Sequence, residues 1–142
     1  MSTLFTRIIS GEIPGRFVWK DDEVVAFLTI EPITDGHLMV VPRREVAHWV
    51  DLEPDLLGKV MNVAQTIAKV QEAEFNAERV GVLMEGYEIP HVHVHIWPTH
   101  SPSDFDVHNV DRNADPGKLD ENANRIRTAL RSAGHAEFVP QG

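Results

Sequence analysis

The sequence predicts an α+β fold: an antiparallel sheet of about five strands, a long central helix and a C-terminal helix. Three observations carry that expectation. Short β-rich runs punctuated by Pro, Gly and Asp recur through the first hundred residues. One uninterrupted stretch, from Pro54 to about Asn76, repeats its apolar residues at helical spacing. A second helical period runs through Leu119, Ala123, Ile126 and Leu130. With 142 residues the chain is sized for one core, so a single domain over 1–142 is expected, with 100–117 a loop and 118–132 the C-terminal helix.

Taken in order, Leu4 to Ile9 reads as a short helix that stops at Gly11, and Pro14 enforces a turn. Phe17-Val18-Trp19 is the first strand, Asp21-Asp22 the polar turn of a hairpin, and Val24 to Ile30 the second strand. Pro32 and Gly36 interrupt, and His37 to Val41 forms a third strand that ends at Pro42. Short turns between sequential strands predict an antiparallel meander. The long helix begins near Pro54, a residue suited to the first helical position, with Asp51 or Glu53 near its cap. Leu57, Val60, Met61, Ala64, Ile67 and Ala68 mark its buried stripe, which should lie on the sheet. Arg79 to Met84 is a fourth strand. His91 to Thr99 is a fifth, bounded by Pro90 and Pro98. Pro102 to Gly117, rich in Asp, Asn, Ser and Pro, reads as a long loop, and the last ten residues are expected to fray.

Composition narrows the functions. Thirteen Lys and Arg against 22 Asp and Glu give a net charge of −9, with the acids scattered along the chain. A nucleic acid needs a basic stripe and would be repelled, whereas a small phosphate ester needs only a few aligned donors. The absence of Cys excludes disulfides, thiolate zinc sites and a Cys nucleophile. The segment Met1-Ser2-Thr3-Leu4-Phe5 has no secretory pattern, and no run approaches the roughly 18 apolar residues of a membrane span. A cytoplasmic protein without membrane partners is expected.

The densest chemistry lies in His91-Val92-His93-Val94-His95. Alternation in a strand puts the three imidazoles on one face and Val92, Val94 and Ile96 on the other, facing the core. Three protonated rings a few ångströms apart would repel, so at neutral pH most are neutral or matched to an anion such as phosphate. Three readings follow. The strand is simply His-rich and structural; or His-x-His binds a metal with His37, His48, His100 or His108 as a third ligand; or a neutral imidazole acts as a covalent nucleophile while its neighbour assists the leaving group.

His91-Val92-His93-Val94-His95-Ile96-Trp97 resembles the signature of the histidine-triad (HIT) family, three histidines alternating with apolar residues. The likeness extends upstream through Phe5, Ile8, Ile9 and Gly11 to Pro14, through Glu23 to Phe27, and through Pro32, Gly36, His37 and Val40-Val41-Pro42. It covers roughly the first hundred residues in order.

The resemblance, to the small single-domain nucleotide hydrolases and transferases of the family, implies a double displacement. His93 corresponds to the nucleophile that attacks an α-phosphorus, and the nucleotidyl-histidine is then hydrolysed by water. His95 corresponds to the residue at the scissile bridge, and His rather than Gln at that position implies a hydrolase. The backbone carbonyl of His91 corresponds to the group that fixes the tautomer of His93, and His37 to a fourth histidine lining the site. The implied substrate is a nucleoside monophosphate joined to an amine, phosphate or other small leaving group; no cofactor and no metal are implied, and a homodimer is. Phe27 and Ile30 are either base-pocket or core residues. The chain departs from the pattern at two places. Thr29 stands where many members carry an Asp that holds the ribose, and Gly86-Tyr87-Glu88-Ile89-Pro90 is a short loop that brings the acid of Glu88 near the phosphate site. A nucleotide-binding or partner-binding module with little turnover is the competing expectation.

Overall fold

The computed structural model describes residues 2–141. Five antiparallel strands form one sheet: β1 (Phe17–Lys20), β2 (Val24–Leu28), β3 (Leu38–Pro42), β4 (Arg79–Leu83) and β5 (Val94–Thr99), in spatial order β1-β2-β3-β5-β4. The expected meander is β1 to β3. Its first turn is fixed by Asp21, whose Oδ1 accepts the Glu23 and Val24 N–H groups, both at 2.8 Å, while Oδ2 accepts Trp19 Nε1–H at 2.9 Å.

Alternation sorts the sheet into two apolar faces. On one, Val24, Ala26, Leu28, Leu38, Val40, Val94 and Ile96 pack under α2 (Pro54–Glu74) and α3 (Pro116–Leu130). On the other, Phe17, Val25, Phe27, Met39 and Val41 pack with Phe5 and Ile8 of α1 (Leu4–Ile9). A bulge in β1 breaks the alternation: Phe17 opposes Phe27 and Trp19 opposes Ala26, which puts Val18 and Trp19 together on the helical side.

Several expectations need correction. β2 ends at Leu28, so Thr29 and Ile30 lie beyond it. β5 starts at Val94, and His91 to His93 approach it as irregular backbone, with Val92 N–H donating to Val46 O at 2.8 Å. Pro98 lies inside β5 and does not end it. β3 reaches only to the Leu38 pair with Ile96, so Pro98 has no β3 partner to deprive of a donor, and its carbonyl accepts Thr34 Oγ1–H at 2.6 Å on that side. The buried stripe of α2 is rotated toward Leu56, Val63, Val70 and Gln71, leaving Leu57, Met61 and Ala68 at its margin. Its N-cap is Glu53, without a side-chain bond; Asp51 closes a separate 3-10 turn over Trp49–Asp51.

The C-terminal third is more ordered than its composition suggested. A 3-10 turn occupies Pro102–Phe105 within the expected loop. α3 begins at Pro116 because Asp115 caps it, accepting Lys118 N–H at 3.2 Å. The tail is tied down as far as Pro140, Gly142 lying outside the described residues: Phe138 stacks on Trp19 with centroids 4.9 Å apart, Val139 is buried, and Arg131 Nη2–H donates to Pro140 O.

Candidate active site

The second sheet face carries the chemistry. His95 sits directly opposite Met39 on β3 and Leu83 on β4, on an interior strand of the sheet, and His37 enters from the residue before β3. His91 and His93 come from the irregular approach to β5, and Phe5 of α1 covers both rings edge-on, at 4.7 Å from His93 and 5.9 Å from His91. The His93 and His95 centroids are 5.0 Å apart. The fold therefore gathers His37, His91, His93 and His95.

Their hydrogen-bond partners fix the proton on each ring, since a carbonyl only accepts and a backbone N–H only donates. His93 Nδ1–H donates to the His91 carbonyl at 2.6 Å, leaving the lone pair at Nε2. Ile33 N–H donates to His37 Nδ1 at 2.9 Å, so His37 carries its proton at Nε2. That proton points to His95 Nδ1 at 2.9 Å, and His95 in turn carries its proton at Nε2. Two adjacent rings thus offer opposite functions, a free lone pair on His93 and an N–H on His95. His91 Nε2–H donates to Pro42 O at 2.7 Å, and Thr3 Oγ1 lies 2.8 Å from its Nδ1.

Burial keeps all four rings neutral. It lowers His37 to about 3 and His95 to about 4, each helped by the adjacent histidine, His95 and His93 respectively. Burial also lowers His91, against the opposing pull of the Pro42 carbonyl and the Glu45 carboxylate. His93 is lowered by burial as well, opposed by the His91 carbonyl and the acids of Glu85 and Glu88. A neutral imidazole is the form that can act as a nucleophile. Among the described residues no three His, Asp or Glu side chains converge as a metal-ligand set. His48, His100 and His108 are exposed, and none of them joins the four gathered rings.

The remaining residues singled out from the sequence separate. Glu88 is exposed on the approach to His91, close enough for its charge to act on His93. Thr29 is half-buried just past β2, where its N–H donates to the His37 carbonyl at 3.3 Å and its Oγ1 accepts Glu31 N–H. Ile30 beside it is 69% exposed. Phe27 is 2% exposed, between Phe5 at 5.6 Å and Phe17 at 5.4 Å, in the core under α1.

Residues that sequence reading passed over also shape the site. Gln71 Nε2 donates from α2 to the carbonyls of Gly36 at 2.9 Å and Ile96 at 3.1 Å, the residues flanking His37 and His95. Its signal was a polar residue four positions after Ile67 on an apolar stripe. A cleft of about 1110 Å³ between α2 and α3 lies on the helical side of the sheet and touches none of the four histidines. Beside His93 itself, Trp49, Met84 and Glu85 help line a space of only about 10 Å³.

Residues 10–101 match the HIT domain family. A HIT-like protein of Methanocaldococcus jannaschii is 33% identical over 99 residues, covering 67% of this chain and 77% of that protein. An adenosine 5'-monophosphoramidase of Candida albicans is 28% identical over 109 residues, covering 68% of this chain and 70% of its own. The crystal structure of a Hit-like protein involved in cell-cycle regulation from Bartonella henselae superposes with a TM-score of 0.79 at 30% identity, covering 91% of this chain and 97% of that one. With this match over most of its length and the histidine run leading into β5, the chain belongs to the HIT domain family.

Proposed function

We propose that the protein is a nucleotidyl hydrolase acting on a nucleoside monophosphate joined to a small leaving group, through a covalent nucleotidyl-histidine. The observation that carries this reading is the pair of opposite tautomers, His93 with a lone pair at Nε2 and His95 with a proton there. His93 Nε2 attacks the α-phosphorus, and the N–P bond forms as the bond to the leaving group breaks. The His95 Nε2 proton passes to the departing atom, and the bound phosphate anion, by raising the depressed basicity of the hydrogen-bonded His37–His95 pair, lets the pair take up one proton in its place. Water then attacks phosphorus, the electron pair returns to His93 Nε2, and the water proton goes to His95. One water is consumed overall: a hydrogen leaves with the departing group and the hydroxyl stays on phosphorus. His37 and the His91 carbonyl hold the two rings in these tautomers.

An amine is the leaving group to test first, because it needs a proton to depart and because the acids of Glu85 and Glu88 disfavour a polyphosphate beside His93. The similarity to an adenosine 5'-monophosphoramidase supports the same class. Thr29 and Ile30, at the open end of β2, are the proposed nucleoside contacts, and Phe27 supports them from the core. A homodimer is proposed through β4, the edge strand beyond β5, whose outer edge has no partner strand among the described residues and where Val82 is 53% exposed. Turnover of adenosine 5'-phosphoramidate by wild type and its abolition in His93→Ala test the reaction. Nucleotide binding by wild type without turnover or a trapped phospho-histidine would instead identify a binding module.

A further inference from the structure

Thr3 and His91 are 88 positions apart, yet Thr3 Oγ1 lies 2.8 Å from His91 Nδ1. His91 is fully buried and its Nε2 proton is committed to the Pro42 carbonyl, so Nδ1 holds a lone pair and Thr3 supplies the donor. Thr6 Oγ1 is 3.5 Å from the same nitrogen, but its own proton goes to Glu45 Oε1 at 2.8 Å, and at 3.3 Å it is a longer acceptor for the Thr3 hydroxyl than His91 Nδ1 is. Glu45 also accepts Thr3 N–H at 2.8 Å. The Thr3 hydroxyl therefore does two separate things. As an acceptor it caps α1, receiving Thr6 N–H at 3.1 Å. As a donor it pins a buried imidazole.

The consequence reaches the nucleophile through the backbone. His91 is held at both ring nitrogens, and its carbonyl is the 2.6 Å acceptor for His93 Nδ1–H. We propose that Thr3 is a positioning residue for the reaction, acting through His91 to hold His93 Nε2 in its attacking orientation, with Glu45 anchoring Thr3. This inference rests on the assignment of His93 as nucleophile. Phe5 belongs to the same device, because α1 lays it edge-on against both rings. The first turn of the chain is thus built into the histidine site from the side opposite α2.

The two jobs of Thr3 are separable by substitution. Thr3→Ser keeps both acceptor and donor, while Thr3→Gly keeps a residue about as acceptable as Thr at an N-cap but removes the donor. The experiment compares wild type, Thr3→Ser, Thr3→Gly and Glu45→Gln by three readouts: the urea midpoint, steady-state kinetics with adenosine 5'-phosphoramidate, and the proton resonance of His93 Nδ1–H at pH 7. Thr3→Gly keeps the cap but leaves the buried His91 Nδ1 without its donor, so its urea midpoint is expected to fall while the protein stays folded at pH 7 without urea, the condition of the kinetics. Its kcat should fall about ten- to a hundredfold with KM within about twofold, as expected for a misplaced reacting group. Its Nδ1–H resonance should broaden or move upfield, Thr3→Ser should match wild type, and Glu45→Gln should fall between. Unchanged kcat in Thr3→Gly, with or without a shifted resonance, overturns the proposal, as does an equal loss in Thr3→Ser. If wild type itself does not turn over, the hydrolase reading fails separately, and an unshifted resonance in Thr3→Gly then overturns the clamp.

Discussion

Acidification should destabilise this protein before its carboxylates titrate, because four neutral imidazoles sit on one sheet face, His37, His91 and His93 buried and His95 half-buried. His37 and His95 have an ordinary value of 6.5 in the unfolded chain and about 3 and about 4 in the folded one. Above pH 6.5 both states hold these rings neutral and the pair contributes nothing to pH dependence. Between 6.5 and the folded values the unfolded chain binds more protons, so stability falls as pH falls. Each ring contributes a slope of about 1.4 kcal/mol per pH unit in that window. From pH 6.5, where the unfolded rings are half-protonated, to pH 5 the pair therefore costs about 3 kcal/mol, against a total stability of about 5–15 kcal/mol for a domain of this kind. His91 and His93, also lowered by burial, add in the same direction. Asp21 and Glu45, both held below the usual carboxylate range by hydrogen bonds, enter only at lower pH. Urea midpoints at pH 7.5, 6.5, 5.5 and 5.0 should decline steeply below 6.5, and the decline should flatten in the His37→Gln/His95→Gln double variant. A wild-type midpoint that stays constant from pH 7.5 to 5 would refute the buried neutral cluster.

Two further substitutions test how the site is supported. Gln71→Leu removes both donors from the Gly36 and Ile96 carbonyls while relieving the unpartnered Oε1, and should lower the stability measured by urea unfolding by about 1–3 kcal/mol; no loss would mean the carbonyls re-pair. Gly81→Ala places a Cβ 2.6 Å from Trp97 Cε2 and 3.0 Å from Phe105 Cε2, and Trp97 is tied by its Nε1–H to Asp104 O at 2.8 Å. Its cost should be about 1–3 kcal/mol, read as a lower melting temperature, and a wild-type melt would show that the indole has room to move.

The parts of the fold legible in the sequence were those written in local periodicity. Val24 to Leu28 and Leu38 to Val41 are short apolar runs closed by Asp21, Pro32 and Gly36, and they became β2 and β3, the second of which pairs with β5. Alternation placed Val92, Val94 and Ile96 in the helical core and the histidines on the other side, even though His91 to His93 fall outside the regular strand. What local pattern could not reveal depends on distant partners. Trp19 changes face because of a bulge opposite Phe27 and Ala26, and Pro98 is tolerated because β3 ends before reaching it. The tail is held by Trp19, more than a hundred residues earlier. Asp115-Pro116 is a local capping signal, masked in the sequence by the polar residues of the preceding loop. The four histidines were visible as residue types, but the direction of their protons was not. That depends on the Ile33 N–H, the Pro42 carbonyl and Thr3, none of which carries a catalytic signature.

The division of labour between neighbouring imidazoles can be read directly by two-bond nitrogen–proton correlation NMR of the uniformly labelled protein at pH 7. His93 should show an unprotonated Nε2 and a protonated Nδ1, and His95 the reverse. The same tautomer on both rings, or a cationic His93, would contradict the assignment of one as nucleophile and the other as proton donor.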